Sequence, residues 1–107
     1  MSAFFKLTDL PEKELFKGFN ARLVHTDKMT VSYIRIDAGR VLPEHHHPHE
    51  QITNILAGQL EMTIGGETQI CTPGTIVVIP SDTPHSGRAL TDCIALDIFQ
   101  PVREDYK

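Results

Sequence analysis

Between Gly39 and Gly58 the chain reads GRVLPEHHHPHEQITNILAG, and this stretch constrains the fold more than any other. Four of the six histidines fall within it, at His45, His46, His47 and His49, with Gln51 just beyond. Neutral imidazole is the commonest protein ligand for first-row transition metals, so a tract this dense predicts a metal site. The competing readings are a solvated histidine-rich loop and a weak adventitious site; a purification tag fits poorly with an internal, strand-like tract. In an extended chain alternate side chains share a face. His45, His47, His49 and Gln51 are therefore predicted on one face, with His46 and Glu50 on the other, and Pro48 is the one residue that could break the parity. Parity thus selects Gln51, not the carboxylate Glu50, as the ligand after His45 and His47. His46 is predicted to face outward and His49 to sit behind the ligands or at the rim of the site.

Around this tract the sequence alternates like a set of short strands. Residues 22–26 and 29–36 are rich in β-branched residues, with Asp27-Lys28 as the turn between them. Residues 60–64 and 67–71 flank Gly65-Gly66, a strong hairpin signal. The apolar run 75–79 reads as a strand buried on both faces or a central one, and the last strand as residues 92–99. Short strands, regular turns and little helical periodicity predict an antiparallel all-β sandwich or barrel. Residues 1–20 read as an N-terminal arm, either irregular or with a turn of helix from Asp9 to Gly18. Residues 21–107 read as one domain, as expected for 107 residues.

Composition excludes several classes of function. The net charge is −4 with no basic cluster, which disfavours nucleic-acid binding. It also means that an anionic substrate must be attracted locally rather than by the whole molecule. No apolar run approaches the ~20 residues of a membrane span. The N-terminal residues lack a signal-peptide pattern, and Cys71 and Cys93 read as buried free thiols; both suggest a cytoplasmic location.

The spacing resembles the cupin superfamily. Its first motif runs Gly, five residues, His-x-His, three or four residues, Glu, six residues, Gly. Here Gly39, His45, His47 and Gly58 fit, with Gln51 in the Glu position. Its second motif runs Gly, five residues, Pro-x-Gly, two residues, His, three residues, Asn. Gly74, Pro80 and His85 fit, with Asp82 for the Gly and Ala89 for the Asn. The resemblance implies a cupin-type jelly-roll β-barrel and adds His85 as a metal ligand. The tail from Asp97 to Tyr106 (DIFQPVREDY) resembles the C-terminal signature of a narrower cupin family that linearises 4,5-unsaturated uronates in pectin and alginate breakdown. The histidine tract and its Gln ligand are similar to that family too.

One divalent transition ion, held by His45, His47, Gln51 and His85, is therefore expected. Zn, Ni, Mn, Co and Fe all suit the donors. All four ligands are neutral, so the ion would keep its full +2 charge and act as a stronger Lewis acid than one facing a Glu. Asp97 interrupts the apolar run 93–99 on the same face as Cys93, Ala95 and Phe99, so it is a general acid/base, a structural partner of Arg103 or an exposed strand end. Arg103 can fork to a substrate carboxylate, with Phe99 beside it in the substrate site. Both faces of the last strand are largely apolar while a barrel has one interior, which predicts a homodimer. The expected substrate is a small anionic sugar. The alternatives are another metal-dependent cupin enzyme, such as a dioxygenase or isomerase, and a non-catalytic sugar-binding module.

Overall fold

The computed structural model describes residues 2–107; Met1, the first residue of the expected arm, lies outside them. Among the described residues ten strands form two antiparallel sheets. They are β1 (Lys13–Phe16), β2 (Phe19–His25), β3 (Thr30–Ile36), β4 (Val41–His45), β5 (Glu50–Ala57), β6 (Leu60–Ile64), β7 (Glu67–Cys71), β8 (Ile76–Ile79), β9 (His85–Ala89) and β10 (Cys93–Gln100). The six-stranded sheet has the order β1-β2-β3-β10-β5-β8 and the four-stranded sheet β4-β9-β6-β7. From β3 onward the chain repeatedly crosses between the sheets, as a jelly roll requires. Among the described residues no helix is long and apolar enough to cross a membrane.

The inner faces follow the two-residue period of the strands. Phe19, Ala21, Ile34, Ile36, Ile55, Ile79, Cys93 and Ala95 of the large sheet meet Leu60, Met62, Cys71 and Ala89 of the small one. Cys71 and Cys93 are free and buried, as predicted. Gly65 and Gly66 both have positive φ (55° and 87°), the conformation a two-residue hairpin turn demands. Gly58 ends β5 with φ 83°, and a side chain there would collide with the Asp92 carbonyl, so only glycine lets the chain cross sheets at this point.

Three sequence expectations are corrected. The helical turn over Asp9–Gly18 is absent: a short 3-10 turn occupies Leu7–Asp9, and residues 13–25 form the β1–β2 hairpin. Lys13–Phe16 is too short for a helix against Gly18, and its pairing with β2 satisfies the backbone instead. Residues 13–20, read as part of an arm, thus belong to the large sheet. The run 75–79 is an edge strand, not a central one. Ile76 and Val78 are each 64 % exposed on the outer face, and Ile79 is buried on the inner face. The histidine tract is not one strand: β4 and β5 lie in different sheets, and residues 46–49 carry the chain between them. The segment around His85, read from sequence only as turn-rich, enters strand β9.

Candidate metal centre and substrate pocket

His45 and His85 face one another as cross-strand partners on β4 and β9, with ring centroids 4.2 Å apart. The crossing 46–49 drops His47 beside them, 4.9 Å from His85 between ring centroids. A hydrogen bond from the Asp82 amide to the His47 carbonyl (2.8 Å) clips this crossing to the 80–84 turn, where Asp82 takes a positive φ of 58°. One nitrogen from each of the three rings lies within 4.8 Å of the others. His46 points outward, Glu50 is exposed, and Gln51 is buried at the start of β5. His45, His47 and Gln51 therefore share one side as read from sequence, although two strands and a loop bring them there rather than one strand, and His49 does not join them on the cavity wall. His49 lies beside His47, and its carbonyl is what holds the His47 ring.

The donor set fits a cation. Nδ1 of His45 lies 2.9 Å from the Pro43 carbonyl, that of His47 3.0 Å from the His49 carbonyl, and that of His85 2.8 Å from the Thr83 carbonyl. A carbonyl only accepts, so in each neutral ring Nδ1 carries the proton and Nε2 presents a bare lone pair to the shared space. Burial, reinforced by the Arg103 charge, lowers the pKa of His47 below the usual imidazole value; burial does the same for His85. Gln51 adds a further acceptor, its Oε1 standing 3.1 Å from His47 Nε2. That nitrogen has no proton to give, so two lone pairs confront one another. Such a pair is repulsive in bare protein and natural around an ion, which both lone pairs would face.

Behind Gln51 runs a line of hydrogen bonds. Its Nε2 donates to Thr53 Oγ1 (2.9 Å), and Thr53 donates to Asp97 Oδ1 (2.7 Å). Thr53 and Asp97 are cross-strand partners on β5 and β10, and Ser32 of β3 flanks Asp97 on its other side. Burial pushes the Asp97 carboxyl up to about 6, against the opposing pull of the Thr53 and Gln51 hydrogen bonds and of Arg103. Ser32 is 1 % exposed and its hydroxyl has no partner, although it lines the same cavity.

Arg103 is 7 % exposed. Its guanidinium carbon lies 3.9 Å from the Tyr106 ring centroid and 4.8 Å from that of Phe99, a cation held between two π faces. Nε and Nη2 donate to the two carboxylate oxygens of Asp105 (3.0 and 2.8 Å). The partner of Arg103 is thus Asp105 rather than Asp97, and one edge of the guanidinium is already engaged. Nη1 and the second proton of Nη2 remain for a ligand. Phe99 is 3 % exposed and serves mainly as the platform under Arg103. Asp105 and Tyr106 lie in the tail motif but carry no strand periodicity that would have singled them out. Thr53 lies two residues beyond Gln51 on β5 and so shares its face, and only the fold shows its two bonds.

These groups share one cavity that opens to solvent. His45, His47, Gln51, His85, Asp97 and Arg103 line it together, with Leu15, Phe16 and Tyr106 at the side where the β1–β2 hairpin meets the tail. The result is a jelly-roll barrel with three histidines positioned to hold a metal ion beside a half-buried acid and a clamped arginine. A cupin domain model matches residues 32–99, and the chain belongs to the cupin family. It is 26 % identical to the pectin degradation protein KdgF of Dickeya dadantii, with 99 % of each chain covered. The structure of KdgF from a Halomonas species superposes with a TM-score of 0.92 at 28 % identity over the whole of both chains. An RmlC-like cupin from Shewanella frigidimarina shares the fold, with a TM-score of 0.94 at 21 % identity over 100 % of this chain and 97 % of that one.

Proposed function

We propose that this protein opens the ring of 4,5-unsaturated uronate monosaccharides, giving linear keto-aldehyde acids in pectin or alginate breakdown. The observation that carries the reading is the convergence of His45, His47, His85 and Gln51 with Asp97 and Arg103 in one cavity. Similarity to two KdgF proteins over essentially the full chain supports it. His45, His47, His85 and Gln51 would hold one divalent ion. Bound there with only neutral ligands, it would supply Lewis-acid polarisation of substrate oxygens and attraction for the uronate carboxylate.

The chain's own residues divide the remaining work. The free edge of Arg103 binds the carboxylate, and Asp105, Tyr106 and Phe99 keep that edge aimed into the cavity. The unpartnered Ser32 hydroxyl is a seat for a sugar hydroxyl. Asp97 takes the proton of the hemiacetal hydroxyl as C1 becomes a carbonyl. The C1 to ring-oxygen bond breaks into the enolate at C5, and Asp97 returns the proton to C4. Atoms and electrons balance with no oxidant, so the step is an isomerisation. An acid with a pKa near the working pH suits both halves of this transfer.

The test is the ultraviolet absorbance of the unsaturated monouronate, followed with metal-loaded protein, with chelated protein and alone. Chelator-sensitive acceleration over the spontaneous loss is expected. No acceleration by fully loaded protein would overturn the reading.

We also propose a homodimer formed through the outer face of the large sheet. Ile52, Leu56, Ile76, Val78 and Ile94 are each more than 40 % exposed there, on the adjacent strands β8, β5 and β10. A monomer rarely leaves so contiguous an apolar face to water. Light scattering should give twice the chain mass, and Ile52→Lys combined with Val78→Lys should halve it; a wild-type monomer would refute the pairing.

A further inference from the structure

The structure assigns Thr53 as the positioning residue that keeps the Gln51 side-chain oxygen, rather than its nitrogen, turned toward the three histidines. The inference rests on the proposed ligand role of Gln51. A primary amide has two nearly isosteric ends, one that accepts and one that donates. Only the oxygen end can bind a cation. In the reversed orientation the NH2 group would donate to the bare Nε2 of His47 and close the site with a good hydrogen bond. Something must therefore decide between the two ends.

The decision propagates from Asp97. Thr53 Oγ1 has one proton and gives it to Asp97 Oδ1 at 2.7 Å. Toward Gln51, Thr53 is then left only lone pairs, so the amide end beside it must be the donor. That is the bond observed, Gln51 Nε2 to Thr53 Oγ1 at 2.9 Å. With the NH2 group turned to Thr53 and to the Asp97 carboxylate behind it, Oε1 is left on the other side, 3.1 Å from His47 Nε2. At the opposite end of the line, the His49 carbonyl holds the His47 proton on Nδ1 and keeps Nε2 bare. One choice anchored on side chains and one anchored on backbone thus meet beside the three histidines from opposite directions. Thr53 is 2 % exposed and Gln51 8 %. Orienting partners behind metal ligands are generally worth ~10- to 100-fold in affinity.

Zinc affinity, read by competition with a chromophoric chelator, tests this without any uronate. Thr53→Val keeps the shape and removes the hydroxyl; it should weaken zinc binding roughly 10- to 100-fold. Thr53→Ser should stay within about threefold of wild type, and Thr53→Ala replaces valine in the comparison if valine is not accommodated. A Glu at position 51 has two accepting oxygens and no end to choose, so Thr53→Val on a Gln51→Glu background should cost little. An undiminished loss on that background would mean that Thr53 supports the wall in general, and would overturn the assignment. So would equal zinc affinity for wild type and Thr53→Val. Gln51→Ala separates the two levels: if it leaves affinity unchanged, the ligand role of Gln51 fails, and if it weakens binding while Thr53→Val does not, only the role of Thr53 fails.

Discussion

Replacing Asp97 by Asn is expected to slow ring opening ~10²- to 10⁴-fold, the usual worth of a positioned general acid/base, with metal content unchanged. Asn keeps an oxygen for the Thr53 hydroxyl, so the hydrogen bonds behind Gln51 have no reason to collapse. The same substitution should stabilise the metal-stripped protein. Burial raises the folded-state pKa of Asp97 from 3.8 to about 6. The folded state therefore binds the proton more tightly than the unfolded one, so stability falls as pH rises between these values and stays lowered above them. Asn removes that cost. At pH 7–8 stripped Asp97→Asn should exceed stripped wild type by on the order of 2 kcal/mol, with the gap closing below pH 4. A bound cation would stabilise the carboxylate and narrow the difference. Thermal unfolding of both stripped proteins from pH 4 to pH 8 checks this; a variant that turns over normally, or is less stable at pH 8, would remove Asp97 from the role.

His47→Ala should reduce activity to the spontaneous rate and weaken metal binding at least ~100-fold, more than loss of an orienting partner costs. Metal present at a thousand times its dissociation constant should stabilise wild type by ~4 kcal/mol; at the same concentration a hundredfold weaker variant gains only about 1.4 kcal/mol. Melting curves with and without metal report this separately from turnover. If His47→Ala gains as much stability from metal as wild type does, the ion sits elsewhere.

The face assignments were legible because they need only parity. Alternation along 93–99 put Asp97 and Phe99 inward, and alternation along 45–51 separated Gln51 from Glu50. Turn chemistry was equally plain at Gly65-Gly66. Strand position was not legible. An apolar run such as 75–79 looks the same whether a neighbouring strand or a partner surface covers its outer face, and here β8 lies at the edge. The β1 strand was hidden by Asp9, Pro11 and Gly18, which signal helix boundaries and turns alike. Nor could spacing show that Arg103 would lean on Asp105 and Tyr106, because that clamp lies beyond the last strand, where side chains follow no period.

The histidines come from both ends of a long excursion. His45 and His85 are 40 residues apart in sequence, and everything from β5 to β8 lies between them. An ion gripping both would act as a removable cross-link, closing that whole loop at its neck as a disulfide would, but with affinity and not redox state as the key. With Gln51 as a fourth ligand it would also rivet the large sheet to the small one at a single mouth of the barrel. Hydrogen exchange should then slow unevenly on metal loading. The neck, around β4, β9 and the start of β5, would gain the most protection, and the β5–β6 crossing at Gly58, at the other end of β5, the least.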